Sequence, residues 1–458
     1  MAYHISHSNQ KGMLGVACFL LFSFFISNPV GAESADSLNV QTGKWTLTQC
    51  IEQARHNNLQ IQRQAIQVEQ QKISLDNQKM RRLPDLNGSA GQSFGFGRAL
   101  TSDNTYANRN TQSTSFGLST GMPVFTGFEI QNSQKQARLN LEAATYDLEY
   151  AREQISLQVV TAYLNVLYQE ELKKVSAREV ENQEYLLRQV EAYFKNGKKA
   201  EADVLEARSQ LEQNRLALVR ADNNYWTALL DLSQLLELPS PDRFQISPAE
   251  GDTLTTEMLH PEQVYTAALE IKPQIKAEKL RLQSAETGIK IARAGFFPQI
   301  SLGAGIGTSY YKTSGFQTLA FGRQLRDNFT QNISLSLSIP LFDRFQTRNA
   351  IRSARLQQTL QTIQLNDTKK QLYKEIQQAY YNARAARAQY SASQTAWEAA
   401  QVAYRTMEQK YLNGKSDATQ LQNQRTLYLK ATSDRVQAKY EWLLRKKILD
   451  FYAGKGWE

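Results

Sequence analysis

Two stretches of this chain, residues 128 to 196 and 345 to 413, run for 69 residues each without a glycine or a proline and are rich in Ala, Gln, Glu, Arg and Leu. Nothing in either stretch stops a helix, and at about 1.5 Å per residue each reaches roughly 100 Å. A globular core has no use for helices of that length. The two runs begin 217 residues apart, and other signals recur at the same distance. Pro123-Val124-Phe125 returns as Pro340-Leu341-Phe342, and Tyr193-Phe194-Lys195-Asn196-Gly197-Lys198 as Lys410-Tyr411-Leu412-Asn413-Gly414-Lys415. Arg82-Leu83-Pro84-Asp85-Leu86 answers Phe296-Phe297-Pro298-Gln299-Ile300 at an offset of 214, which puts three extra residues into a loop of the second copy. The chain is internally duplicated.

Each copy has the same parts. A first repeat over 58–238 holds an approach helix, barrel strands at 85–97 and 113–125, the long helix 128–196 and a return helix 198–238. A second repeat over 274–450 holds an approach helix, strands at 299–311 and 329–342, the long helix 345–413 and a return helix 415–450. The approach and return helices of a repeat, stacked end to end, again give about 100 Å, so each long helix has a two-piece antiparallel partner. The joints fall at one mid-height level. That level collects the equatorial segment 33–57, the Pro-containing linker 239–273 and the C-terminal end 451–458. Thr46-Leu47-Thr48-Gln49 has the spacing of a capping box, and Pro261 is placed to open the matching helix of the second copy. Val204, Leu211, Leu218, Tyr225 and Leu232 recur every seven residues as a coiled-coil seam.

The strand signals alternate with period two. Ile333, Leu335, Leu337, Ile339 and Leu341 are interleaved with Asn332, Ser334, Ser336, Ser338 and Pro340, and Phe116, Leu118, Met122 and Val124 with Ser115, Gly117, Ser119 and Gly121. One apolar face and one small polar face over about ten residues is the pattern of a transmembrane barrel strand with lipid outside and water inside. Phe125, Phe128, Phe296, Phe297, Phe342 and Phe345 flank the helical ends of these strands as an interfacial girdle. Four strands do not close a barrel, and an open edge in lipid leaves backbone groups unpaired, so several subunits must share one.

The first 32 residues read as a secretory signal: Lys11, an apolar run from Met13 to Ile26, and the small-residue site Val30-Gly31-Ala32. Gly15 stands where a lipoprotein signal places Leu, so Cys18 is not expected to carry a lipid anchor. Cleavage leaves Cys50 alone, which excludes an internal disulfide. Lys and Arg number 53 against 44 Asp and Glu, but the excess is scattered and lacks the basic blocks with interleaved aromatics that bind nucleic acid. His56 and His260 sit in separate helical starts, so neither a metal cluster nor a nucleophile and base can be assembled, and the chain reads as a protein without catalysis or cofactor. Gly303-Ala304-Gly305-Ile306-Gly307 looks like a phosphate loop, but no helix opens after it. A structural coiled coil of the periplasm is the rival reading; it accounts for the helices and leaves the strands and aromatic flanks unexplained.

These features resemble the TolC-like outer membrane efflux family over nearly the whole chain beyond the signal. The carrying residues are Leu47, Ala54, Asn57 and Asn58; Pro84; Pro123-Val124-Phe125 and Pro340-Leu341-Phe342-Asp343; and Gly197 followed by Asp203-Val204-Leu205-Glu206-Ala207-Arg208. The resemblance implies a mainly α subunit with four β-strands, and a homotrimer that shares a twelve-strand transmembrane barrel in the outer membrane lipid and continues it as a helical tunnel in the periplasm. It implies two partners, a periplasmic adaptor protein and an inner-membrane efflux transporter, for a duct that exports small molecules; type I protein secretion uses the same kind of duct. It places a periplasmic gate at Asp203 and Tyr411, negative charge at the entrance on Glu201, Glu206 and Asp417, and adaptor docking at the turns Asn196-Gly197-Lys198 and Asn413-Gly414-Lys415. Ser416 stands at the family's basic gate position, and Gln420 and Asn423 where carboxylates are common. That departure predicts a gate less sensitive to salt than one held by ion pairs.

Overall fold

The computed structural model describes residues 44–100, 104–108, 110–241, 244–248 and 258–456. The expected export signal and Cys18 lie outside them. In chain order the elements are β1 (Lys44–Trp45), α1 (Leu47–Asn57), α2 (Leu59–Met80), β2 (Asn87–Gly95), β3 (Arg98–Leu100), β4 (Tyr106–Asn108), β5 (Thr111–Phe125), α3 (Glu129–Lys195) and α4 (Glu201–Leu235). There follow β6 (Gln245–Ile246), α5 (Pro261–Ile271), α6 (Pro273–Arg293), β7 (Gln299–Thr313), α7 (Phe321–Asp327), β8 (Thr330–Ser338), α8 (Gln346–Leu412) and α9 (Ala418–Tyr452). The long helices α3 and α8 are 67 residues each. Each packs against a return helix of 35 residues and an approach helix, α2 or α6, of 22 or 21.

Local chemistry sets the joints. At the start of α1, Thr46 and Gln49 close a reciprocal capping box, with Gln49 N–H on Thr46 Oγ1 at 3.3 Å and Thr46 N–H on Gln49 Oε1 at 2.9 Å. Pro261 and Pro273 open α5 and α6, where a missing N–H costs nothing. The mid-height core joins Cys50, Ile51 and Ala54 of α1 to Val159, Val160, Tyr163 and Leu164 of α3 and to Leu229, Leu232 and Leu236 of α4. The Tyr163 hydroxyl donates to the Ser247 carbonyl, and β1 pairs in parallel with β6, which ties the linker to the N-terminal segment. Lys272, 4 % exposed, is held by Glu153 at 3.2 Å and by the face of the Phe451 ring. Burial lowers its pKa, with Glu153 opposing that shift.

Where strand turns into long helix, both repeats use left-handed backbone: Gly127 and Phe128 at φ +62° and +67°, Arg344 and Phe345 at +55° and +62°. Left-handed non-glycine residues cost of order 1–3 kcal/mol each. Aromatic packing holds them there. Phe128 meets Phe125 and Phe297 edge-on at 5.3 and 6.2 Å, and Phe345 meets Phe342 at 5.6 Å.

The four long strands form one antiparallel sheet in the order β2-β5-β7-β8. Its register sorts the side chains onto two faces. Met122, Leu302 and Leu335 lie in one cross-strand row and Thr120, Ala304 and Ile333 in another on the same face; Ser119, Gly305 and Asn332, then Gly121, Gly303 and Ser334, fill the other face. On that second face neighbouring polar side chains occupy the space over the glycines: a Cβ at Gly305 would come within 2.9 Å of Asn332 Oδ1.

The sheet is sheared. The middle of β2, Gly91, pairs with Ser115, and Ser115 with Ser309; the middle of β8, Ser334, pairs with Gly303, six residues before Ser309 in β7. That is a slip of about 20 Å across three strand steps of about 4.8 Å each. The ends of such a sheet come level only when the strands tilt, as they do in a barrel.

One strand expectation changes. The strand expected over 329–342 ends at Ser338, because Pro340 has no N–H to give and the partner strand β7 starts only at Gln299. The connections from β2 to β5 and from β7 to β8 carry structure of their own: β3 pairs with β4 inside the first, and α7 forms in the second. Where β7 outruns β8, the Gln324 side chain takes the place of a neighbouring strand, accepting from Tyr311 N–H at 3.0 Å and donating to Tyr311 C=O at 3.1 Å.

Candidate functional site: the far end of the hairpins

The helical hairpins α3–α4 and α8–α9 reverse at the end farthest from the sheet, and both use the same turn. Gly197 and Gly414 adopt φ +72° and +69°. Lys198 N–H bonds to Tyr193 C=O and Gly197 N–H to Phe194 C=O, both at 2.9 Å; Lys415 and Gly414 repeat the pattern on Lys410 and Tyr411 at 2.8 and 3.1 Å. These are Schellman closures, which need a left-handed residue at the position of the glycine. Asn196 and Asn413 add side-chain bonds to the carbonyls of Ala192 and Gln409 at 2.9 and 2.8 Å. Asn196, Gly197, Lys198, Asn413, Gly414 and Lys415 are all exposed.

Asp203 and Tyr411 line one narrow cleft between the two hairpins of a single chain, together with Glu206, Gln210, Leu421 and Arg425. The structure adds a group that the sequence analysis does not assign. Lys199 stands 3.7 Å from Asp203 Oδ1 and 4.2 Å from the centre of the Tyr411 ring. The Asp203 carboxylate also accepts from Ala200 N–H at 3.0 Å, half of a capping box at the start of α4. Ala200 has no side-chain acceptor, so the other half of the box is not made. Asp203 and Tyr411 are thus bridged by a cation.

Ser416, where the resemblance led one to expect a base, donates to Gln420 Oε1 at 2.8 Å. The cation near Tyr411 is Lys199, whose position there depends on how the two hairpins meet and leaves no local signal in the sequence. Of the other acidic candidates, Asp417 caps α9 through Gln420 N–H at 2.7 Å, and Glu201 is exposed in the first turn of α4. Both carboxylates at helix starts are favoured by the helix dipole. Glu206 is exposed at the cleft.

Burial pushes the Cys50 thiol up to about 12, so it is a neutral core side chain and not a nucleophile. Among the described residues no helix is long and apolar enough to cross a membrane. The apolar sheet face is the surface suited to lipid.

A model of the outer membrane efflux protein family matches residues 50–237 and 264–455. Protein CyaE of Bordetella pertussis is 30% identical over 197 residues, 43% of this chain and 40% of that protein, so the chain matches less than half the length of this relative. The pyoverdine export outer membrane protein OpmQ of Pseudomonas putida is 23% identical over 78% of this chain and 73% of its own length. Among solved structures, the CmeC outer membrane channel of Campylobacter jejuni superposes with a TM-score of 0.75 at 20% identity, over 89% of this chain and 85% of that one.

Proposed function

Since the chain belongs to the outer membrane efflux protein family, we propose that three copies form the exit duct of a tripartite export pump, carrying small molecules across the outer membrane. The observation that carries this reading is the sheet: four sheared strands with one apolar face and, among the described residues, two unpaired edges, β2 and β8. Strand direction alternates from β2 to β8, so the free edge of β8 meets the β2 edge of the next copy in antiparallel pairing, and no edge faces lipid once the ring closes. Three copies give twelve strands, in keeping with the family's trimers.

The helices support the same ring. α2 leads into β2 and α8 follows β8, so these two helices meet at the subunit boundary. Leu59, Ile66, Ile73 and Met80 stand every seven residues along α2, each more than half exposed, and Leu356, Leu360 and Ile363 form an exposed apolar row on α8. Apolar stripes at heptad spacing on two water-facing helices are the two halves of a seam.

An exit duct differs from a free-standing pore in having partners: a periplasmic adaptor at the hairpin ends and, through it, an energised inner-membrane transporter, which selects the cargo. The two exposed Schellman turns are the docking points, and the entrance between them is closed at rest by Asp203, Lys199 and Tyr411. Bulky substitutions at Lys198 and Lys415, whose side chains take no part in closing the turns, test this. They should reduce crosslinking to the adaptor and lower export while trimers persist. Parental crosslinking and export in both variants would remove docking from these turns.

A further inference from the structure

The positive charge that is scattered along the sequence collects at one level of the fold. Seen from the apolar side of the sheet with the helices below, β2, β5, β7 and β8 stand from right to left. Gly121 fixes this. It lies on the far face of the descending β5, where an L-backbone turns the carbonyl to the right, and that carbonyl accepts from Asp85 N–H, just before β2, at 3.0 Å. The helices keep the order of their strands: α3 lies against α2 and α6, and α6 against α8. Both α3 and α8 descend from the sheet, and a right-handed helix that descends turns from its right-hand neighbour toward the viewer.

Contacts between helices then separate the outer side from the bore. On α3, Gln134 donates to Gln78 C=O of α2 and Gln136 to Ser284 C=O of α6, both at 3.1 Å, so Lys135 between them points outward. On α8, Thr347 packs on Gly295 at the end of α6, and Arg348, the next residue, points outward in the same way. Arg352 and Arg355 share its side of α8, while Gln346, Ser353, Gln357 and Gln364 face the bore. Arg138 on α3 and Lys290 and Arg293 on α6 are exposed at the same level. All seven cations lie within about 14 Å of the sheet ends of their helices, at about 1.5 Å per residue. Among the described residues none of the seven has a carboxylate within ion-pair distance. Glu129 is taken by Arg81 at 3.0 Å and Asp343 by Thr347 N–H at 2.8 Å. Glu286 of α6 is exposed beside them, so seven cations less one anion leave +6, against +9 for the whole chain.

A membrane surface falls at this level. Directly above it stand the exposed rings of Phe128, Phe297 and Phe345, and above those the apolar face of the sheet. Cations just below an aromatic girdle meet lipid headgroups. A guanidinium takes a phosphate through two parallel N–H donors, and the aliphatic stems of Lys and Arg lie along apolar surface while the charge stays in water. A zwitterionic headgroup brings its own cation beside the phosphate, so a belt with little negative charge of its own selects anionic headgroups.

We propose that this outward belt, centred on Lys135, Lys290, Arg293 and Arg348, is a binding site for the anionic phospholipid headgroups of the periplasmic leaflet. It rests on the apolar sheet face meeting lipid in a closed ring of copies. The full chain, extracted as a trimer in mild detergent and mixed with phosphatidylglycerol and phosphatidylethanolamine in equal parts, tests it by native mass measurement of the lipid retained. The parent should hold several-fold more phosphatidylglycerol than phosphatidylethanolamine. Lys135→Gln, Lys290→Gln, Arg293→Gln and Arg348→Gln together should bring the ratio close to one with the trimer intact. The same loss of charge lower on the tunnel, by glutamine at the exposed Arg188, Arg220, Arg405 and Lys430, should leave the parental ratio. Should the fourfold belt variant fail to assemble, Lys135→Gln with Lys290→Gln, both on helices inside one subunit, should still lower the ratio. Retention that inorganic phosphate abolishes at unchanged ionic strength would make this a site for free anions and overturn the lipid assignment. A parental trimer without preference between the two lipids, or equal losses in the belt and lower variants, would overturn the site and leave the shared barrel standing.

Discussion

Replacing Asp203 and Tyr411 together by alanine should raise the small resting conductance of the channel by about tenfold. The contact that joins the two hairpins is that of Lys199 with the Tyr411 ring, with Asp203 fixing the cation in place from its own helix start. A cation on an aromatic face contributes roughly 0.5 kcal/mol or more. Three copies opening together lose about 1.5 kcal/mol, which is a factor of about ten at about 1.4 kcal/mol per decade. Controls follow from the geometry. Tyr411→Phe keeps the ring under the cation and should conduct like the parent, whereas Lys199→Met should leak. Contrary to the expectation drawn from Ser416, the Lys199 cation makes the gate sensitive to salt: raising it from 0.1 M to 1 M shortens the screening length from about 10 Å to about 3 Å, so it should loosen the parental gate and have no further effect on Lys199→Met. A double alanine variant that inserts as a trimer and conducts like the parent would show that closure lies elsewhere.

Leu335→Arg should abolish assembly in the outer membrane. Leu335 lies in the apolar row with Leu302 and Met122, and an arginine on the lipid face of a barrel costs about 2–4 kcal/mol near the bilayer midplane. Three copies multiply that cost. The adjacent residue provides the contrast: Ser334 belongs to the face of small residues, so Ser334→Arg should insert and alter conductance instead. Outer membrane fractionation reads both. Parental levels of Leu335→Arg in that fraction would mean that the apolar face does not meet lipid.

The long helices were legible in the sequence because absence is informative over 69 residues: the helices α3 and α8 fill the Gly- and Pro-free runs to within about a residue at each end. The sheet was legible because a period of two separates lipid from water. What escaped depends on contacts between residues far apart in the chain. β8 ends where its partner ends, and α7 exists to cover a strand overhang through Gln324. Lys199 and Tyr411 meet only because two hairpins lie side by side. Arg425 and Glu179, 246 residues apart, meet as a buried ion pair, and each reads alone as one more charge on an amphipathic helix. The resemblance pointed to Asp203 and Tyr411 alone; the structure sets the Lys199 cation between them.

The central claim is that one chain supplies a third of a closed barrel. Native mass measurement of the protein extracted in mild detergent tests it most directly. A single species of three chains that keeps its strand content is expected. A monodisperse monomer with the same strand content, or a closed assembly of two or four chains, would contradict it.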